Sequence, residues 1–311
     1  MGYRELYVSP AAVFSGFHKP LAEASYAVLG VPFDITSTYR TGARFAPLAI
    51  REASLNIETY SLRSKTDIED INLHDLGDLH VTGDMAETLK RLQQVEQELL
   101  ASEKIPTIIG GEHTITLGAA QAIGKNFAVL DFDAHLDLRD EYMNLRTSHT
   151  TFMRRLNEQA KPSRIIELGT RAVCKEELDY AKKAGIKFIT THQIRKEGVE
   201  WTVEKVSKLL SNVKRIYLTV DMDVLDPAFV PGVQNPEPDG LCAHVFYDLL
   251  SGVIDERIVA FDVVEVTPPY DNGVTSIQAA KTVFEILSAL EKRRESRSVE
   301  RRHRRTRRLL L

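Results

Sequence analysis

The sequence predicts an α/β protein built on a mostly parallel sheet of eight strands, with helices wound on both sides. Three observations carry that expectation. Short apolar, β-rich runs alternate with longer helical patterns along most of the 311 residues. No internal repeat or low-complexity linker interrupts Met1–Glu291, which is read as one domain, with 292–311 as a basic tail. Carboxylates and histidines gather immediately after strand candidates, where the carboxyl ends of a doubly wound sheet form its binding crevice.

The strand candidates are "YAVLGVPF", "INLHDLGDL", "IPTIIGG", "FAVLDFD", "SRIIELG", "IKFIT", "RIYLTVDMD" and "RIVAFDVVEV". Helical segments lie between them. "AETLKRLQQVEQELLASE" repeats apolar residues at Leu89, Leu92, Val95 and Leu99, the three-to-four spacing of one buried face. "KEELDYAKKAG" closes on Gly185, a suitable C-terminal cap. "WTVEKVSKLLS" and "SIQAAKTVFEILSALEK" follow the same rule.

With 43% hydrophobic and 27% charged residues, the chain has the balance of an ordinary globular protein. No apolar run approaches the roughly 20 residues of a membrane helix, and "MGYRELYVSP" lacks a secretory pattern. Cys174 and Cys242 are too few for a disulfide framework or a thiolate metal site, so a cytoplasmic location is expected. Charge is uneven. Residues 292–311 hold ten Lys or Arg against two Glu, a balance of +8. The remaining body has 30 basic and 42 acidic residues, a balance of −12. The tail could serve as a nucleic-acid arm. Its lack of aromatic residues and its acidic body favour a solvated extension of the last helix, with neither nucleic acid nor membrane as partner.

The strand ends carry the chemistry. "IIGGEHTITLG" offers Glu112 and His113 after one strand, and "DFDAHLD" offers Asp131, Asp133, His135 and Asp137 after the next. "TVDMDVLDP" adds Asp221, Asp223 and Asp226, and "VVEVTPPYD" adds Glu265. Side chains two apart on extended backbone share a face, so Asp133, His135 and Asp137 project together, as do Asp221 and Asp223. Converging carboxylates repel one another unless cations neutralise them. Carboxylate and imidazole without sulfur suit Mn²⁺ or a similar divalent ion, and four Asp with two His exceed the needs of one ion. A two-metal site is expected, with its ions about 3.5–4 Å apart and a water between them.

The stretches "TGARFAPLAIR", "GGEHTITLG", "DFDAHLDLRDEYMNLRTSHTT", "LTVDMDVLDP" and "DVVEVTPPYDNGVTSIQAAK" resemble the ureohydrolase (arginase/agmatinase) family, agmatinases more than arginases. They span Thr41 to Lys281. The resemblance implies a three-layer α/β/α fold and a binuclear manganese centre, two Mn²⁺ per chain. On that pattern His113 and Asp137 bind one ion, His135 and Asp223 the other, while Asp133 and Asp221 contact both. Asp131 is expected deeper, and Asp226 in a turn. Trimers or hexamers are the implied assemblies.

Hydrolysis of a guanidino group needs more than the ions. The cationic group requires its own carboxylate, for which Glu265 is the candidate. Asp137 can pass a proton to the leaving amine, and His149 in "TSHTT" matches the family's shuttle histidine, suiting an imidazole near its working pKa. The products are urea and an amine. Asp140 and Glu141, just after the metal motif, offer negative charge for an amine tail. That favours agmatine, giving putrescine, or aminopropylagmatine. Arg40, Arg44, Arg139 or Arg146 facing the pocket would instead suit arginine or guanidinobutyrate. Formiminoglutamate hydrolysis, a catalytically silent homologue and a zinc deacetylase of the same broad fold remain alternatives. Several positions depart from the family pattern: Glu112 for Asp, Thr150 after His149, Thr267 for Asn or Ser, and "GVQNPEPDGL" with Gln234, Asn235 and Asp239. Each bears on substrate rather than on reaction class.

Overall fold

The computed structural model describes residues 2–9 and 11–309, with side chains through 296. Among the described residues eleven strands form: β1 (Val8–Ser9), β2 (Tyr26–Val31), β3 (Tyr60–Ser61), β4 (Thr66–Asp67), β5 (Leu73–Leu79), β6 (Ile105–Gly110), β7 (Ala128–Phe132), β8 (Arg164–Thr170), β9 (Lys187–Thr190), β10 (Ile216–Asp221) and β11 (Ile258–Val264). Nine make one sheet in the order β1-β5-β2-β6-β11-β10-β7-β8-β9, and β3 pairs with β4 apart from it. All eight expected strands are present and parallel to their neighbours. The ninth, β1, is a two-residue antiparallel edge on β5, too short to leave a periodic signal.

Both faces of the sheet are covered, so most strands are apolar throughout instead of alternating. On one face Val28, Leu130, Leu218 and Phe261 join the helix Ala243–Val253 and the long C-terminal helix Val274–Leu309. On the other, Leu29, Ile108, Val129 and Ala260 pack against Leu89, Leu92, Val95 and Leu99 of the helix Met85–Ala101. That is the stripe expected from the spacing. Gly185, at φ 75°, ends the helix Lys175–Ala184 in the left-handed conformation that glycine adopts most readily. Among the described residues no helix is long and apolar enough to cross a membrane. The last helix continues through the basic segment to Leu309, while the side chains from Arg297 onward, and residues 310–311, lie outside the described residues.

One buried ion pair ties the helix Ala46–Ser54 to the sheet. Arg51 is fully buried and donates through Nε and Nη2 to Asp75 (2.8 and 2.9 Å), through Nη1 to Asp78 (2.6 Å) and through Nη2 to the Gly77 carbonyl (2.9 Å). Asp75 also accepts the Phe14 and Gly77 backbone amides, so its charge is fully hydrogen-bonded. Removing one partner from such a pair strands a buried charge. Arg51→Ala is therefore expected to lower the unfolding free energy by about 3–5 kcal/mol, measured by urea denaturation. A loss below about 1 kcal/mol would mean that Asp75 is satisfied without the guanidinium.

Candidate metal centre

The four strands whose ends carry the acids and histidines are neighbours at the sheet centre, in the order β6-β11-β10-β7. Their parallel register delivers His113, Glu265, Asp221 with Asp223, and Asp133 with His135 and Asp137 to the same edge. Gly110 and Gly111 let β6 leave the sheet tightly. A Cβ on Gly111 would meet the Phe33 carbonyl oxygen at 1.9 Å, and Glu112 N–H donates to that same carbonyl (2.8 Å). Asp137 and Glu265 both hold positive φ (49° and 67°), a costly conformation for non-glycine residues that aims their side chains.

Among the described residues two groups of side chains could hold a metal ion: His113, Asp133 and Asp221, and Asp133, His135 and Asp223. Asp133 is common to both. The carboxylates share one arrangement. Asp133 Oδ1 accepts the His135 amide (2.6 Å) and Asp221 Oδ1 the Asp223 amide (2.7 Å). Asp223 Oδ1 takes the Ala134 amide (3.2 Å), and Glu265 Oε1 takes the His113 amide (2.6 Å). Backbone thus pins one oxygen of each. The second oxygens of Asp133 and Asp221 lie 3.1 and 3.3 Å from His113 Nδ1, and that of Asp223 lies 3.1 Å from His135 Nδ1. Asp137 Oδ2 is 3.6 Å from His113 Nδ1.

A hydrogen-bonded chain fixes the tautomer of His113. Thr219 Oγ1 donates to Asp262 Oδ1, so it accepts from His113 Nε2 at 2.9 Å. The Nδ1 lone pair therefore faces three carboxylates. Asp262 is itself held by Thr116 and Tyr217 hydroxyls (both 2.6 Å). Burial works against charge on His113, yet Asp133 and Asp221 push its pKa well above the ordinary histidine value. The site demands a positive charge at that point. A proton answers it poorly, because His113 Nδ1 and Asp133 Oδ2 are buried and make no hydrogen bond. A divalent cation between them fits the donor set. Burial likewise drives the carboxyl pKa values of Asp137, Asp221 and Glu265 upward.

Asp131 sits deeper on β7, paired across the sheet with Thr219 and Glu167, as its place outside the motif suggests. Asp226 lies in a turn, accepting the Ala228 and Gly240 amides (both 3.0 Å). His149 is buried, and burial first, then the neighbouring His135 and His113, lower its pKa to about 3. Thr36 donates its hydroxyl to Glu112 (2.6 Å), so His149 Nδ1 is the donor to Thr36 (3.1 Å). Its Nε2 is left to accept from Thr38 (3.1 Å) and Asn235 (3.3 Å). Burial raises the Glu112 pKa to about 7 against the hydrogen bonds of Thr36 and Thr114.

Beside the cluster opens a cavity of about 590 Å³, lined by His135, Asp137, Arg139, Tyr142, Glu177, Asn235 and Glu237 among others. Asp140 and Glu141 are not in its lining, which corrects their expected place. Asp140 is instead gripped by Arg155 (2.6 Å), Arg146 (3.2 Å) and Arg154 (3.5 Å), partners that a sequence reading of its charge alone does not reveal. Arg40 caps the Pro231 carbonyl (2.7 Å) and Arg44 pairs with Asp34, so of the four arginines considered only Arg139 lines the cavity, over the Tyr142 ring at 5.0 Å. Thr36, Thr38, Arg171 and Glu237 were missed. Thr36 and Thr38 follow the end of β2, so the strand-end rule could have found them had it not been limited to acids and histidines.

The Arginase family profile matches residues 24–288 of this chain. An N(1)-aminopropylagmatine ureohydrolase from Thermococcus kodakarensis is 35% identical over 280 residues, 88% of this chain and 94% of that one. An agmatinase from Pyrococcus horikoshii is 33% identical over 86% of this chain and 92% of its own. The crystal structure of the agmatine ureohydrolase of Thermoplasma volcanium superimposes with a TM-score of 0.86 at 34% identity, covering 93% of this chain and 97% of that one. An arginase from Bacillus subtilis shares the architecture at a TM-score of 0.74 and 26% identity. With its motifs, sheet order and profile match in agreement, this chain belongs to the arginase family.

Proposed function

We propose that the protein hydrolyses the guanidino group of a small cationic amine, agmatine before the others, to putrescine and urea, with two Mn²⁺ as cofactors. The observation that carries the reading is that Asp133, Asp221 and Asp223, all buried, each tie one oxygen to a backbone amide and turn the other toward a histidine Nδ1. Names of relatives support the substrate, and two unpaired cysteines suit a cytoplasmic location. Arg139 in the cavity keeps guanidinobutyrate as the second reading.

In this reading His113, Asp133, His135, Asp137, Asp221 and Asp223 would hold the two ions. Bound there, the metals supply a water acidic enough to furnish hydroxide near neutral pH, which a resonance-stabilised guanidinium needs as its nucleophile. The chain does the rest. Glu265, with Oε1 pinned by the His113 amide and Oε2 buried without a hydrogen bond, receives the guanidinium N–H groups and fixes the carbon for attack. Asp137 carries a proton from the nucleophile to the departing nitrogen. His149, whose Nε2 lies beside Thr38 and Asn235, is the second group that could relay a proton toward the departing nitrogen.

Asp133→Asn removes the carboxylate common to both groups. Loss of bound Mn²⁺, measured by elemental analysis, should accompany a fall in urea release of more than about 100-fold, beyond the usual effect of an outer hydrogen-bond partner. Full activity in that variant would refute the assignment. Chelation of the wild-type protein should abolish urea release, and Mn²⁺ should restore it. In a panel of agmatine, aminopropylagmatine, arginine, guanidinobutyrate and formiminoglutamate, agmatine or its aminopropyl form should show the highest kcat/KM. Turnover of none, with two metals bound, would bring the silent-homologue alternative forward.

A further inference from the structure

We propose that Glu237 recognises the protonated amine at the far end of the substrate, and so makes the pocket selective for guanidino-amines over guanidino-acids. The assignment rests on the guanidino-hydrolase reading above and names the residue that sets its substrate class. Three carboxylates line the cavity, and two of them are committed. Asp137 belongs to the metal cluster. Glu177 is buried and spends both oxygens on backbone, Oε1 on the Leu138 amide (3.1 Å) and Oε2 on the Cys174 amide (2.9 Å). Glu237 is different. Its single ion-pair partner among the described residues is His135 Nε2 at 3.8 Å, beyond hydrogen-bond range, and its side chain is 41% exposed.

The carboxylate is available, but its backbone is not free to move. Pro236 and Pro238 flank it and restrict φ on either side. Arg171 donates through Nη2 to the Glu237 carbonyl (2.8 Å) and through Nε to the Pro238 carbonyl (3.0 Å). The same guanidinium holds the carbonyls of Asp223 (2.7 Å) and Val224 (3.1 Å). One arginine thus sets the distance between a metal-cluster residue and the acid at the cavity wall. Spending its donors on carbonyls also removes Arg171 as a competing anchor. The imidazole of His135 lies between the two ends, Nδ1 toward Asp223 (3.1 Å) and Nε2 toward Glu237 (3.8 Å), so Glu237 stands one imidazole away from the metal-capable group. Preorganised opposite charge of this kind selects for an amine and against a carboxylate.

The test compares Mn²⁺-loaded wild type and Glu237→Gln on three guanidines of similar length: agmatine, uncharged-tail butylguanidine and 4-guanidinobutyrate. In the variant, KM for agmatine should rise about 10- to 100-fold with kcat changed by less than about threefold, the signature of lost tail binding. Butylguanidine should be turned over with kcat/KM within about threefold of wild type, and guanidinobutyrate no worse than before. Calorimetric affinity for putrescine, the product amine, should fall about as much as KM rises, a readout independent of turnover. Equal losses on agmatine and butylguanidine, or loss of bound metal, would show that Glu237 acts through His135 and would overturn the proposal. An unchanged KM for agmatine would overturn it as well, as would a wild-type preference for guanidinobutyrate, which assigns the tail to Arg139. Failure of the underlying reading looks different: wild type would turn over none of the three, and both assignments would fall.

Discussion

The structure is governed by the concentration of buried negative charge at one edge of its sheet. Asp133, Asp137, Asp221, Asp223 and Glu265 are all buried within a few residues of strand ends, and Asp131, Glu167 and Asp262 lie behind them on the strands themselves. Moving a carboxylate out of water costs several kcal/mol unless charge or hydrogen bonds compensate. Two kinds of compensation are visible. Backbone amides satisfy one oxygen each of Asp133, Asp221, Asp223 and Glu265, and hydroxyls of Thr116, Thr219 and Tyr217 satisfy Asp262. At the front of the site His113 Nδ1, Asp133 Oδ2 and Glu265 Oε2 have no hydrogen-bond partner, and behind them neither do Asp131 Oδ1 and both oxygens of Glu167.

The sheet order follows from the same constraint. Only strands adjacent and parallel can bring four loop starts to one place, and β6, β11, β10 and β7 are contiguous although they are not consecutive in sequence. The crossing from β6 to β7 skips two positions that β10 and β11 later fill. The crevice sits at this reversal of winding, as expected for an open α/β sheet. Positive φ at Asp137 and Glu265 shows that the local backbone yields to the placement of the carboxylates.

Much of this was legible in the sequence because strand and site share a two-residue period. Asp133-x-His135-x-Asp137 and Asp221-x-Asp223 announce both an extended end and a common direction, and all eight principal strands were readable from apolar runs. The rest is long-range and leaves no local trace. β1 is two residues of edge pairing, and β3 and β4 are equally brief. Asp140 reads as a free acid next to the motif until Arg154 and Arg155, on a helix more than a dozen residues later, take it. The departures in "GVQNPEPDGL" have a structural explanation that spacing cannot give. Gln234 accepts the Ser37 hydroxyl (2.8 Å), Asn235 reaches Thr38 and His149, and Asp239 pairs with Arg195.

Those contacts divide the labour between sheet and loops. The strand ends gather buried carboxylates whose charge a cation would balance. The loops at 34–38 and 233–239 touch the strand-end groups from outside, through His149, His135 and the Arg171 carbonyl clamp. A substitution there can alter which tail is accepted while the buried acids stay paired with backbone. Arg171 is where the two roles meet: by holding Asp223 and Glu237 through their carbonyls rather than their side chains, it couples the positions of cluster and rim while leaving both carboxylates free to act.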